Sequence, residues 1–205
     1  MSTILIPHQR STADQITLAL EAMKISYLEG SIQPKPKPTH PQIRLTLPQE
    51  LAAITGFLTG QPANTIPFWV NPTLPIDPQF VLDFDIQNSH AAQDVEEMVR
   101  EVWSNNPVML WSNSYSSSSR EIKQSLAHLY PPPTIIDVDL RDDCDVLSSL
   151  LQRVTGSEQL PVLLVGGDSM GTLNEIREKI KNGELQNRMQ AVGVVVGGRK
   201  QRNGN

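Results

Sequence analysis

Polar and apolar positions change period in a regular order over the second half of the chain. Asp94 to Ser104 places Val95, Met98, Val99 and Val102 at three- and four-residue spacing, the stripe of an amphipathic helix. Val108 to Trp111 is short and wholly apolar, as a buried strand requires. Arg120 to Leu129 returns to the helical period, with Ile122, Leu126 and Leu129 on one side. Thr134 to Leu140 is rich in β-branched residues and predicts a second strand. Asp143 or Asp145 can cap a third helix through Val154, its stripe being Val146, Leu147, Leu150, Leu151 and Val154. Pro161 to Val165 reads as a strand turning at Gly166-Gly167, with a short extended piece before Gly171. Thr172 or Asn174 then opens a last helix to about Lys181, stopped by Gly183.

Two strands joined through a helix run parallel, and the closing hairpin adds antiparallel strands. The expected fold class is therefore α/β, a four-stranded mixed sheet flanked by helices, over residues 91–190. Residues 191–205 are read as a flexible tail.

Residues 1–90 carry broken patterns. Thr3 to Ile6, Ala13 to Met23 and Ile25 to Ile32 suggest a β-α-β unit, and Ser11 can cap its helix. Gln33 to Pro41 reads as a proline-rich, extended spacer. Leu47 to Leu58 predicts a helix. Pro62 to Pro78 predicts a loop, from which Phe68-Trp69-Val70 must pack somewhere. The expected division is thus a proline-rich N-terminal region over 1–90 ahead of the α/β domain.

Composition narrows the function. Of the 205 residues 39% are hydrophobic, enough for a core. A net charge of −5 argues against a general nucleic-acid binder, since only Arg199-Lys200-Gln201-Arg202 is locally basic. No stretch approaches the ~20 apolar residues that span a bilayer, and the first residues lack the pattern of a secretory signal. A cytoplasmic protein without membrane or nucleic-acid partners is the expectation. The single cysteine, Cys144, excludes an internal disulfide framework and a multi-cysteine zinc site. Its aspartate neighbours disfavour a thiolate, so it reads as incidental. Asp137, Asp139, Asp142, Asp143 and Asp145 match no calcium-loop spacing, and no metal site is expected.

The most informative chemistry is an omission. Ser116 to Ser119 lie between a buried strand and a helix start, where backbone N–H groups and the helix dipole converge. A thiol there would be acidified into a reactive thiolate, whereas a hydroxyl is a weak nucleophile without a partner base. His128 stands nine positions beyond Ser119, roughly 12 Å along a helix axis, too far to serve as that base.

Several stretches together resemble glutaredoxins, small proteins of thioredoxin-like fold. Asn106 to Tyr115 is similar to the strand and turn before that family's Cys-Pro-Tyr-Cys or Cys-Gly-Phe-Ser site, and Ile136 to Asp143 to its second strand with an acidic exit. Leu151 to Pro161 resembles the helix leading to the Thr-Val-Pro turn, Val165 to Gly171 the hairpin before a Gly-Gly pair, and Asn182 to Leu185 a common family ending. The resemblance covers under half the chain. It implies glutathione-dependent disulfide oxidoreduction, with Pro161 as a cis-proline facing the site.

The same resemblance places the family's cysteines at Ser116 and Ser119. Its lysine falls at Asn113, a cation or amide falls near Glu158, its second glycine is Thr172, and the aspartate for the glutathione amino group is Asn174 beside Glu175. The implied groove is Asn113, Tyr115, Ser116, Leu160, Pro161, Gly171, Thr172, Asn174 and Glu175. Disulfide exchange needs a thiolate, and monothiol cluster binding needs the same cysteine as iron ligand. The expectation is a redox-inactive homologue, a pseudoenzyme whose groove takes a peptide or protein partner and binds glutathione weakly. The alternative is a transferase-like, glutathione-binding enzyme in which Ser116 or Ser119 activates bound glutathione.

Overall fold

The computed structural model describes residues 43–197. The expected β-α-β unit, the spacer Gln33–Pro41 and the basic end from residue 199 lie outside the described residues.

Helix α1, Leu47–Gly60, begins at a capping box in which Thr46 and Gln49 satisfy each other's end groups, with Pro48 in the first turn. A four-residue helix α2, Pro78–Val81, follows the proline-rich loop. Helix α3, Ala91–Asn105, leads into strand β1, Val108–Ser112, every residue of which is buried. Helix α4, Ser117–Leu126, starts at Ser116. The two-residue strand β2, Leu129–Tyr130, follows, then β3, Thr134–Asp137. Helix α5 is Cys144–Thr155, ended by Gly156 in the left-handed conformation. Strands β4, Val162–Val165, and β5, Asp168–Ser169, form the hairpin. Helices α6, Leu173–Lys181, and α7, Glu184–Ala191, and strand β6, Val195–Val196, complete the described chain.

The main sheet runs β3-β1-β4-β5. β1 pairs parallel with β3 and antiparallel with β4, which pairs antiparallel with β5. This is the four-stranded mixed sheet expected, and β1 is apolar throughout because both its faces are covered. Met109, Trp111, Val162 and Leu164 pack with α1 and α5. Val108, Leu110, Leu163 and Val165 pack on the other face with α4, α6 and α7.

Several local expectations shift. The strand expected to run to Leu140 stops at Asp137, and Val138–Leu140 closes a 3-10 turn. Helix α4 starts three residues early at the Ser116 cap and ends at Leu126, leaving Leu129 to β2. α7 and the β2–β6 pair were not expected. Val194 is buried and β6 pairs with β2, so the expected tail is structured as far as residue 197.

The expected division at residue 90 runs through one continuous core. Leu51, Ala53, Ile54, Leu58, Ile66 and Ile76 share a cluster with Met109, Trp111, Leu147 and Leu150. Two buried carboxylates fasten the segment. Glu50 accepts from Ile76 N–H at 2.7 Å and is held in a forked ion pair by Arg153, whose Nε donates to Pro72 C=O at 2.7 Å. Asp143 stands at the cap position of α5, yet its carboxylate does not cap that helix. It accepts from Ile66 N–H at 2.6 Å and from Arg141, which also donates to Asn64 C=O. The loop between these fastenings turns outward. Phe68 and Trp69, expected to pack, are 87% and 71% exposed, and only Val70 rests on the core.

Candidate functional site

Strand pairing brings one end of β1, β3, β4 and β5 together. Ser112 is paired with Asp137, and Trp111 with Val162, so Ser112 stands beside Pro161. Met170 N–H donates to Leu163 C=O at 2.8 Å, which carries Gly171 alongside Val162. The turn after β1, the Leu160-Pro161 turn and the start of α6 therefore share this end of the sheet. The Leu160-Pro161 bond is cis, as the resemblance implied.

Ser116 caps α4, its Oγ accepting from Ser119 N–H at 3.4 Å. Ser119 is fully buried, and its Oγ accepts from Asn113 N–H at 3.1 Å. The two hydroxyls that stand at the cysteine positions are thus spent on shaping the turn. Tyr115 is 87% exposed at its tip.

Two acidic residues from the far side of β3 hold the same turn. Ser112 Oγ donates to Asp137 Oδ1 at 2.6 Å, and Lys123 Nζ reaches that oxygen at 2.6 Å. Asp139 accepts from both N–H and Oγ of Ser114, and these hydrogen bonds hold its carboxyl below the usual range. Sequence reasoning assigned these aspartates no site and missed Lys123. The available signal was Lys123 four positions after Ser119, hence on the same side of α4 and facing β3. A cation is present near the turn although Asn113 is not one.

At the other rim Thr172, of the two candidate caps, opens α6. It forms a capping box with Glu175, which accepts from Thr172 N–H at 2.7 Å and Thr172 Oγ1 at 2.9 Å. These bonds, the backbone one foremost, hold the Glu175 carboxyl low. Asn174 Oδ1 accepts from Arg177, which is paired with Glu121 of α4. Gly171 has φ +90°, and a Cβ there would stand 2.3 Å from Glu175 Oε2. So Gly171, Thr172 and Glu175 form a compact helix start whose carboxylate is already engaged. Leu160 is half-buried and Pro161 buried behind the turn. Cys144, the single thiol, sits half-buried at the start of α5.

Among curated proteins, Monothiol glutaredoxin-S12 of Arabidopsis thaliana is 26% identical over 100 residues, 48% of this chain and 56% of that protein. Monothiol glutaredoxin-S10 of Oryza sativa is 27% identical over 103 residues, covering 50% and 63%. Monothiol glutaredoxin-7 of Saccharomyces cerevisiae is 26% identical over 106 residues, covering 50% and 52%. The C-terminal half of this chain is a glutaredoxin-like domain. The chain spans between about half and two thirds of the length of these relatives. Among solved structures, the holo form of glutaredoxin C1 from Populus tremula x tremuloides aligns at 25% identity and a TM-score of 0.41, covering 47% of this chain and 96% of that one. No protein-family model matches the sequence. The serine turn, Pro161 and Gly171 share one end of the main sheet of this domain. No helix of the described residues is long and apolar enough to cross a membrane.

Proposed function

We propose that the glutaredoxin-like domain is redox-inactive and acts as a binding module. An extended peptide or a partner protein occupies the sheet end formed by Ser112 to Ser119, Leu160-Pro161 and Gly171 to Glu175. The observation that carries this reading is the state of the two serines. Thiol–disulfide exchange proceeds by thiolate attack on a disulfide sulfur. Ser116 Oγ is the cap of α4 and Ser119 Oγ is buried against Asn113 N–H, so neither supplies a nucleophile. No base side chain is hydrogen-bonded to either hydroxyl among the described residues. The protruding Tyr115 and the half-buried Leu160 offer apolar contact at this end of the sheet. Glutathione binds weakly on this reading, since Glu175 is committed to Thr172 and Asn174 is uncharged.

One observation supports the alternative of glutathione activation. Ser116 uses its oxygen as acceptor, which leaves its O–H able to donate to a bound thiolate. Ser119 is too deeply buried for that part.

The deciding experiment pairs an activity assay with calorimetry. Reduction of a mixed disulfide by glutathione should show no rate above a protein-free control. Turnover that survives Cys144→Ser overturns redox inactivity. Submillimolar glutathione binding that is lost in Ser116→Ala selects the activation reading over the partner module.

A further inference from the structure

Away from the serine turn, a cleft of about 1000 Å³ opens between α1, the segment after α2 and α3. It shares no residue with the serine turn, Pro161 or α6. Its floor is apolar. Phe57 of α1 and Phe80 of α2 meet at 5.2 Å between ring centres, and Met98 and Val102 of α3 continue the surface. Gly56 lets the two helices close beneath it, since a Cβ there would stand 2.8 Å from Val102 Cγ2.

The rim has one sign of charge. Asp83, Asp94, Glu97 and Glu101 line the cleft, and no Lys, Arg or His does. None of the four forms a salt bridge with a described residue. Asp94, Glu97 and Glu101 recur at three- and four-residue spacing beside Met98 and Val102, so one face of α3 offers carboxylates and apolar side chains together. Glu97 and Glu101 are like charges one turn apart, an arrangement that destabilises an isolated helix. A cation seated between them removes that repulsion. Low-dielectric walls also focus the field of such a rim into the cleft.

We infer that this cleft is a docking groove for a cationic amphipathic helix of a partner protein, its apolar side on Phe57, Phe80 and Met98 and its Lys or Arg residues against Glu97 and Glu101. An apolar groove takes such a helix through side chains one turn apart, and the acidic rim selects its charge and orientation. The inference stands apart from the proposed role of the serine groove.

The test uses the full chain and two synthetic helix-forming peptides. Both carry leucine at i, i+3, i+4 and i+7; the remaining positions are Lys in one and Glu in the other. Fluorescence anisotropy should show binding of the Lys peptide alone, weakening with added salt. Glu97→Lys with Glu101→Lys should weaken it by about tenfold or more at low salt. A control reversal, Asp142→Lys with Asp168→Lys, changes net charge equally on exposed sites outside the cleft and should leave binding within about twofold. All four positions are exposed, and unchanged melting curves verify that the variants fold. Equal loss in both double variants, or equal binding of the Glu peptide, overturns the inference. So does concentration-dependent self-association abolished by the Glu97/Glu101 reversal, which assigns the cleft to a second copy of this chain.

Discussion

Arg153 of α5 closes a forked ion pair on Glu50 of α1, 103 positions earlier in the chain, with Arg153 Nη1 at 2.9 Å from Glu50 Oε2. The Glu50 side chain is 1% exposed and that of Arg153 20%. The pair also fixes Ile76 N–H and Pro72 C=O, and so binds the proline-rich loop to the domain. Removing one member of a buried pair strands the other. Glu50→Ala should cost about 3 kcal/mol in urea unfolding, near the lower end of the ~3–5 for such losses because Arg153 keeps some water contact. Glu50→Gln, which still accepts from Ile76, should recover part of it. A loss below about 1 kcal/mol would show that the pair is dispensable.

The folding unit on this packing includes α1 and the loop after it, and does not begin near residue 91. Leu51, Ile54 and Leu58 of α1 are 5%, 0% and 3% exposed. At ~1.5–3 kcal/mol for each buried aliphatic side chain, their sum rivals a domain's whole net stability of about 5–15 kcal/mol. A fragment of residues 91–197 should therefore bind hydrophobic dye and unfold without cooperativity, while 43–197 should show a single sharp transition. Cooperative melting of 91–197 near the temperature of 43–197 would return the boundary to residue 90.

Ser116→Cys, made together with Cys144→Ser, should yield a thiol with a pKa well below the ordinary ~8.5. The new Sγ would occupy the cap of α4, facing unsatisfied N–H groups and the positive end of the dipole. The pH dependence of iodoacetamide alkylation measures the shift. A midpoint at or above 8.5 contradicts the electrostatic account of the turn.

Gly171→Ala should disturb the rim of the groove. At φ +90° a side chain is strained by about 1–3 kcal/mol, and the added Cβ would lie 2.3 Å from Glu175 Oε2. The capping box must then open. Expected readouts are a lowered melting temperature and lost amide protection at the start of α6. Unchanged protection there would show that Glu175 swings aside freely.

Acid should unfold the chain partly through Asp143. Burial pushes its carboxyl up, but the Arg141 hydrogen bonds, the Ile66 N–H and the Arg141 charge outweigh this, and the net value lies below the ordinary one. A depressed folded pKa contributes stability that is complete above the unfolded value, ~3.9. That contribution fades as pH falls through the lower folded value. Asp143→Asn should be less stable at neutral pH and show a flatter decline below pH ~4. Parallel acid limbs for the two proteins would remove Asp143 as a cause.

Much of the domain was legible because its signals are local. The stripe of α3, the apolar run of β1 and the stripe of α5 each lie within a few turns of chain, and Thr172 stands three residues before the Glu175 that completes its cap. The order of these elements, with a helix between β1 and β3 and a glycine hairpin between β4 and β5, leaves few sheet topologies open. The four serines before Arg120 also marked a helix start without any coordinates, although the helix takes three of them into its first turn.

Other features had no local signal to read. In α7 only Leu185 and Met189 are buried, too sparse a stripe to declare a helix, and β2 and β6 are two residues each. Phe68 and Trp69 look like core residues by type, and they face water because hydrogen bonds to Asp143, Glu50 and Arg153 hold the loop ends inward and leave its tip outside. The sequence by itself determined the principal helices and strands of the C-terminal half, α3 to α6 with β1, β3 and the β4–β5 hairpin, and the absence of a thiol from the serine turn. Only the tertiary structure decided that residues 47–76 belong to the same core, that Lys123 and Asp137 brace the turn, and that an acidic cleft opens on α3. Helical and strand periods and end caps act within a turn or two of chain, whereas the partners of Glu50 and Asp143 lie 103 and 77 positions away and meet only when the sheet is built.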